Sequence, residues 1–187
     1  MSEGGSTGER DQRAAIGEAA VRVLAGRGIR GFTHDVVDAE SGLPEGASAA
    51  LYPDRDDLIG AAVSHLVVLD GQLWTQIGQL TPDSVEQFAQ RVTRWVELAL
   101  GTQREAGLAR LELFLGDPKR AAGGHLDIVE MTAVVLDVLG VAEPGGKARL
   151  VIDLVSGTMA QYLTVRADES FDAAAFEQGV LRLVSNR

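Results

Sequence analysis

Apolar residues recur at steps of three and four over long windows of this chain, and strand-like alternation is scarce. That period is the signature of amphipathic helices, so the fold is predicted to be all-α. The windows are cut by glycine and proline at Gly28, Gly42-Leu43-Pro44, Thr81-Pro82-Asp83, Gly116-Asp117-Pro118 and Glu143-Pro144-Gly145-Gly146, each a helix stop or start signal. About nine helices follow from this punctuation.

A first helix is expected from Arg10 to Arg27, with Ile16, Ala20, Val23 and Leu24 on one face, and a left-handed cap at Gly28. Thr33 opens a second helix that ends at Ser41-Gly42, and Pro44 opens a short third one reaching Ala50. Asp54 is placed to cap a long fourth helix, whose stripe runs Leu58, Ala62, Leu66, Leu69, Leu73 and Ile77. A fifth carries Phe88, Val92, Trp95, Val96 and Ala99; a sixth lies around 108–115 and a seventh around 126–139. The eighth segment, 147–165, is apolar on more than one face, and the last, 170–184, is broadly apolar too. Two such helices side by side predict a homodimer seam through Val151, Leu154, Val155, Tyr162, Phe176 and Val180.

The chain contains no cysteine, which excludes disulfides, thiolate metal sites and a cysteine nucleophile. Its first nine residues carry neither a basic cluster nor an apolar run, and no later segment offers eighteen uninterrupted apolar residues. A cytoplasmic protein without a membrane partner is expected. The net charge of −10 argues against non-specific coating of nucleic acid, and residues 1–60, with six arginines, no lysine and eleven acids, are formally −5. His34, His65 and His125 lack the spacing of a metal site, and neither a GxSxG elbow nor a complete phosphate loop is present. No catalytic set, metal or cofactor is predicted.

The stretch from Ala19 to Ile59 resembles the N-terminal domain of the tetracycline-repressor (TetR) family of transcriptional regulators. The likeness is carried by the alanine-rich first helix ending in Arg27-Gly28, Thr33 at the start of helix two and the Ser41-Gly42-Leu43 turn. A short recognition helix follows, then Leu51-Tyr52-Pro53, Arg55 and Leu58. Thr33-His34, Gly42-Leu43-Pro44-Glu45-Gly46 and Arg55-Asp56 look like an actinobacterial-type branch. The resemblance implies a helix-turn-helix head at 10–55 behind a disordered tail at 1–9, and a ligand-binding and dimerisation body at 56–187. It also implies a homodimer on double-stranded DNA with a near-palindromic operator, acting as a repressor released by a small effector. Carried over by position, Thr33, His34, Glu45, Gly46, Ala47, Ser48, Ala49, Tyr52 and Arg55 are the DNA-facing candidates. Ala49 and Ala50 stand where a tyrosine and a histidine are common, Asp35 and Glu45 where cations are common, and Asp38 where a small apolar residue is common, which predicts a looser head.

A small, largely apolar effector is expected among the body helices, with Trp74, Trp95, Leu111, Phe114, Met131 and Met159 as lining candidates. The competing reading of each is core packing, since every helical body needs bulky residues. A rival from another class is a helical ligand-binding protein with a degenerate DNA-binding head, as Asp35, Glu45 and Ala49 would suggest.

Overall fold

The computed structural model describes residues 3–78 and 81–185, leaving aside the side chains of 3–7 and 121–124. The described residues form nine α-helices: α1 (Glu3–Arg27), α2 (His34–Ser41), α3 (Ala47–Leu51), α4 (Arg55–Ile77), α5 (Val85–Leu100), α6 (Arg104–Gly116), α7 (Pro118–Val138), α8 (Pro144–Leu163) and α9 (Ala173–Val184). A 3₁₀ turn, Ile29–Gly31, links α1 to α2. Among the described residues the all-α expectation holds.

Most boundaries follow from caps that the sequence advertises. The Thr33 hydroxyl accepts from the Val36 N–H at 3.4 Å, the Asp54 carboxylate from Asp57 at 2.8 Å and the Ser84 hydroxyl from Gln87 at 3.2 Å. Each oxygen satisfies one of the N–H groups that a helix start leaves unpaired. Gly42 closes α2 in the left-handed region at φ 69°.

Four boundaries differ from expectation. α1 begins at Glu3, so residues 3–9 continue the helix instead of forming a tail. α3 starts three residues after Pro44, because Gly46 turns the chain at φ 85° before the helix can propagate. α6 reaches back to Arg104. α7 begins at Pro118, not near 126: Asp117 caps it by accepting from Arg120 at 3.2 Å, and proline sits at a position where its missing N–H costs nothing.

Two apolar cores result. One joins α1, α2 and the first half of α4, with Ile16, Leu24, Phe32, Val37, Leu58 and Ile59 at its centre, and it takes in Ala106, Ala109 and Leu113 from α6. The other gathers α5, α7, α8 and α9 around Val96, Leu136, Val151, Val180 and Val184, with Leu73 from the far end of α4. α4 is long and apolar enough to cross a bilayer by length and composition, but Leu58, Ile59, Ala62, Leu66 and Leu73 are used in these cores. α4 and α6 are therefore the elements that touch both cores.

Candidate nucleic-acid interface

The helix-turn-helix is α2, a turn through Gly42 and Gly46, and α3. Its geometry is fixed by one buried carboxylate. Asp38, 2% exposed, accepts from the N–H of Gly46 at 2.7 Å and of Ser48 at 2.8 Å, so it caps the recognition helix from within the head. The expected loosening at Asp38 is overturned, because two charge-assisted bonds replace the packing of a small apolar side chain. Ser41 strengthens the same turn, its hydroxyl donating to the Asp38 carbonyl and accepting from Leu43. At the other end of α3 the His34 ring bonds the Tyr52 carbonyl at 2.7 Å.

This arrangement decides which of the candidate residues are exposed. Thr33, Glu45 and Gly46 are exposed, and His34, Ala47, Ala49 and Tyr52 are partly so. On α3 itself the outward residues Ala47, Ala49 and Ala50 are small. Ser48 is a correction: it is 0% exposed, its N–H is spent on Asp38, and its hydroxyl points toward the His34 carbonyl at 3.4 Å, so it belongs to the head's interior. Arg55 has a structural role besides. Its guanidinium donates to the backbone carbonyls of Phe32, at 3.2 Å, and Ile29, tying the base of α4 to the chain before α2. Arg55 is exposed, so its charge stays at the surface while it staples these segments together. Sequence reasoning missed Asp38 as a cap; the signal was an acid eight residues before a glycine that opens a helix.

The remaining head cations are mostly engaged. Arg22 bridges Glu40 and Glu18 at 2.7 Å each, and Glu40 first, burial being secondary, holds that guanidinium even more firmly charged than usual. Arg13 pairs with Glu9 at 2.9 Å and lies over the Tyr52 ring at 5.2 Å, with Tyr52 the larger influence raising its pKa. Arg27 and Arg30 are exposed and form no ion pair among the described residues. An open cleft of about 630 Å³ beside Tyr52, lined by Arg13, Asp56, Ser64 and Arg120 among others, separates this head from the start of α7.

Of the predicted effector residues, Trp95 and Met159 fall in the one body core, which takes in none of the other four. Phe114 and Met131 are 57% and 56% exposed, so they line no interior space in this chain, while Met159 is packed into the body core. Trp74, Trp95 and Leu111 are half-buried. The Trp95 Nε1 atom is buried without a hydrogen-bond partner among the described residues, as is Arg110 Nη1. Arg110 otherwise reaches Asp70 at 2.8 Å and the Leu66 carbonyl at 3.3 Å, binding α6 to α4; burial outweighs this partner and pushes the Asp70 carboxyl up. The described residues hold no group of three or more histidines and carboxylates placed for a metal ion.

The predicted seam is corrected too. Val151, Tyr162, Phe176 and Val180 are buried inside the single chain, where α8 and α9 pack on each other and on α5, α6 and α7. Tyr162, Phe171 and Phe176 stack there edge to face and tilted, 5.4 and 5.5 Å apart. Leu154 and Val155 are half-buried, and Leu150 is the large apolar residue of α8 that faces outward.

Neither a family model nor a curated protein matches the sequence. Solved structures do match. A protein described as a TetR-family transcriptional regulator from a Rhodococcus species superposes with a TM-score of 0.78 at 21% identity, over 93% of this chain and 98% of that one. A TetR-family member from Streptomyces coelicolor A3 superposes at 0.74 with 23% identity, over 94% and 99%. The multidrug binding protein EbrR, complexed with proflavin, superposes at 0.63 with 23% identity, over 92% and 99%. The match runs through head and body alike, in the element order derived above, and several of these neighbours are actinobacterial. The fold of this chain is that of the TetR-family transcriptional regulators.

Proposed function

We propose that the chain is a DNA-binding transcriptional regulator, a cytoplasmic homodimer that represses at a near-palindromic operator and is released by a small effector. The observation that carries this reading is the preformed head: a buried carboxylate fixes α3 against α2, and only small side chains project from the outer face of the recognition helix. Groove entry depends on a recognition helix held at a fixed angle to its neighbour, and this cap supplies one. A two-fold pair of heads then demands two related half-sites.

The effector site is proposed in the body near Trp95. A buried indole N–H without a partner costs about 1–3 kcal/mol, so a ligand that offers an acceptor beside an apolar surface is favoured there. EbrR binds proflavin and ethidium; flat aromatic cations of that kind belong in a screen for a chain of net charge −10. Ligand and DNA need only prefer different head spacings for release to follow.

Selection from a randomised DNA pool at low salt tests the reading. An enriched, two-fold-related motif is the expected result; a pool without one removes the regulator function. It would promote the rival, a ligand-binding helical protein with a silent head, which the engagement of Arg13, Arg22 and Arg55 within the head favours.

A further inference from the structure

Ile29, in the 3₁₀ turn, is held through both of its backbone polar groups from opposite sides. Its N–H donates to Glu112 Oε2 of α6 at 3.2 Å, and its carbonyl accepts from Arg55 at the first turn of α4. Arg55 Nε donates in addition to the carbonyl of Phe32, one residue before the Thr33 cap of α2. One peptide segment thus connects α6 of the body to the starts of α2 and α4.

Two glycines make the seating possible. A Cβ on Gly116, in the last turn of α6, would overlap Ile29 Cγ2. A Cβ on Gly28, at φ 65°, would stand 2.7 Å from the Glu112 carboxylate and push it off the Ile29 N–H. α6 also ties the middle of α4 through Arg110, which donates to the Leu66 carbonyl and to Asp70; its contacts with α1 are apolar, through Ala106, Ala109 and Leu113, and such contacts have no preferred direction. A hydrogen bond weakens steeply with distance and angle. The Glu112 bond and the Ile29–Gly116 wedge are therefore what fix register between α6 and the turn that precedes α2, at the opposite end of α4's first half from the Arg110 tie.

We propose that Glu112 is a positioning residue for DNA binding, one that sets the angle of the head to the body by holding the Ile29 N–H; this rests on the regulator reading above. A shift of α6 carries Ile29 with it, and Ile29 carries Arg55 and the base of α4. The carboxylate acts as an acceptor in this role, so a side-chain amide, which keeps one carbonyl oxygen, replaces it.

The absence of cysteine makes the test direct. Spin labels on A50C in the exposed end of α3 and Q90C on the exposed side of α5 read the head-to-body distance, with unlabelled protein in excess to dilute contacts between subunits. The parent chain and E112Q are expected to give the same narrow distance distribution. E112A and G116A are expected to lose it, the first by removing the acceptor and the second by wedging Ile29 away. E105A, on the exposed side of the same helix, is expected to match the parent. The distance is read without DNA, so a failed operator search leaves this result intact and a positive search does not rescue it. Should E112A not fold, G116A and E112Q decide. A parent-like distribution in every folded variant overturns the proposal, as does an E105A distribution as broad as that of E112A.

Discussion

At the scale of single residues, Asp38 and His65 carry measurable consequences. Removing the Asp38 carboxylate leaves the buried Ser48 N–H without an acceptor and takes away the partner of the part-buried Gly46 N–H. Hydrogen bonds to a charged group contribute about 1.5–3 kcal/mol each. Asp38→Ala is expected to lower unfolding stability by about 1.5–3 kcal/mol in urea, and Asp38→Asn by less, since it keeps one acceptor oxygen. An unchanged midpoint for Asp38→Ala would disprove the cap. Ser48→Ala, by contrast, removes a long bond inside the head and should change no base preference in a selected DNA pool. His65 lies where α4 crosses Gly17 of α1; desolvation there lowers its pKa, Glu18 opposes this, and Arg22 adds to it. The unfolded chain therefore takes up a proton first as pH falls through about 6.5. The contribution of neutral His65 is complete above that value and is lost as pH falls from it toward the lower folded value. Urea midpoints from about pH 7.5 to 5 should fall less steeply for His65→Gln than for the parent; parallel curves would assign the pH dependence elsewhere.

The helices themselves show what was legible in the chain and what was not. Caps and breaks at Gly28, Thr33, Gly42, Asp54 and Pro118 lie in the local sequence, and a cap acts within one turn of itself, so helix order could be read directly. The partner of an apolar face cannot be read that way. α8 is apolar on several faces because α7, α9, α5 and α6 all pack on it, a set of neighbours that only the tertiary fold defines. Hence Val151 and Val180 read as seam residues and proved to be core, while Phe114 and Met131 read as pocket residues and proved exposed. The candidate head was legible as far as small exposed side chains go, and illegible at Ser48 and Arg55, whose partners are backbone groups 14 and 23 or more residues away. Val180→Arg is expected to abolish cooperative folding, because a charge without a partner in the body core costs several kcal/mol. Leu150→Arg, on the outward side of α8, should keep its melting transition and shift a dimer toward single chains in sedimentation. A folded Val180→Arg chain, or a dimer unaffected by Leu150→Arg, would relocate the packing or the seam.

For the whole molecule the deciding quantity is charge. A regulator reaches its operator through phosphate contacts, and each one adds about −0.9 to the slope of log affinity against log salt. This chain carries −10 in all, and its head presents six arginines, three of which are tied to Glu9, to Glu18 and Glu40, and to backbone carbonyls. Backbone N–H groups cannot make up the difference at α3, since Asp38 already occupies two of them. The slope for the selected duplex should therefore be shallow, about −5 or flatter for two heads, and binding to an unrelated duplex should be weak even at low salt. Glu45 is the exposed acid nearest the recognition helix. Glu45→Lys turns a repelling charge into a phosphate partner in each head, so the slope should steepen by about 2 and all duplexes should bind more tightly at low salt. Fluorescence anisotropy on the selected and a scrambled duplex, across a salt series, measures both effects. If Glu45 instead accepts from the amino group of a cytosine, the same substitution should raise affinity for the scrambled duplex while erasing the preference for the selected one by about 1–3 kcal/mol per half-site. A steep parent slope, near that of a repressor with ten phosphate contacts, would mean that the tied arginines let go of their partners when DNA binds.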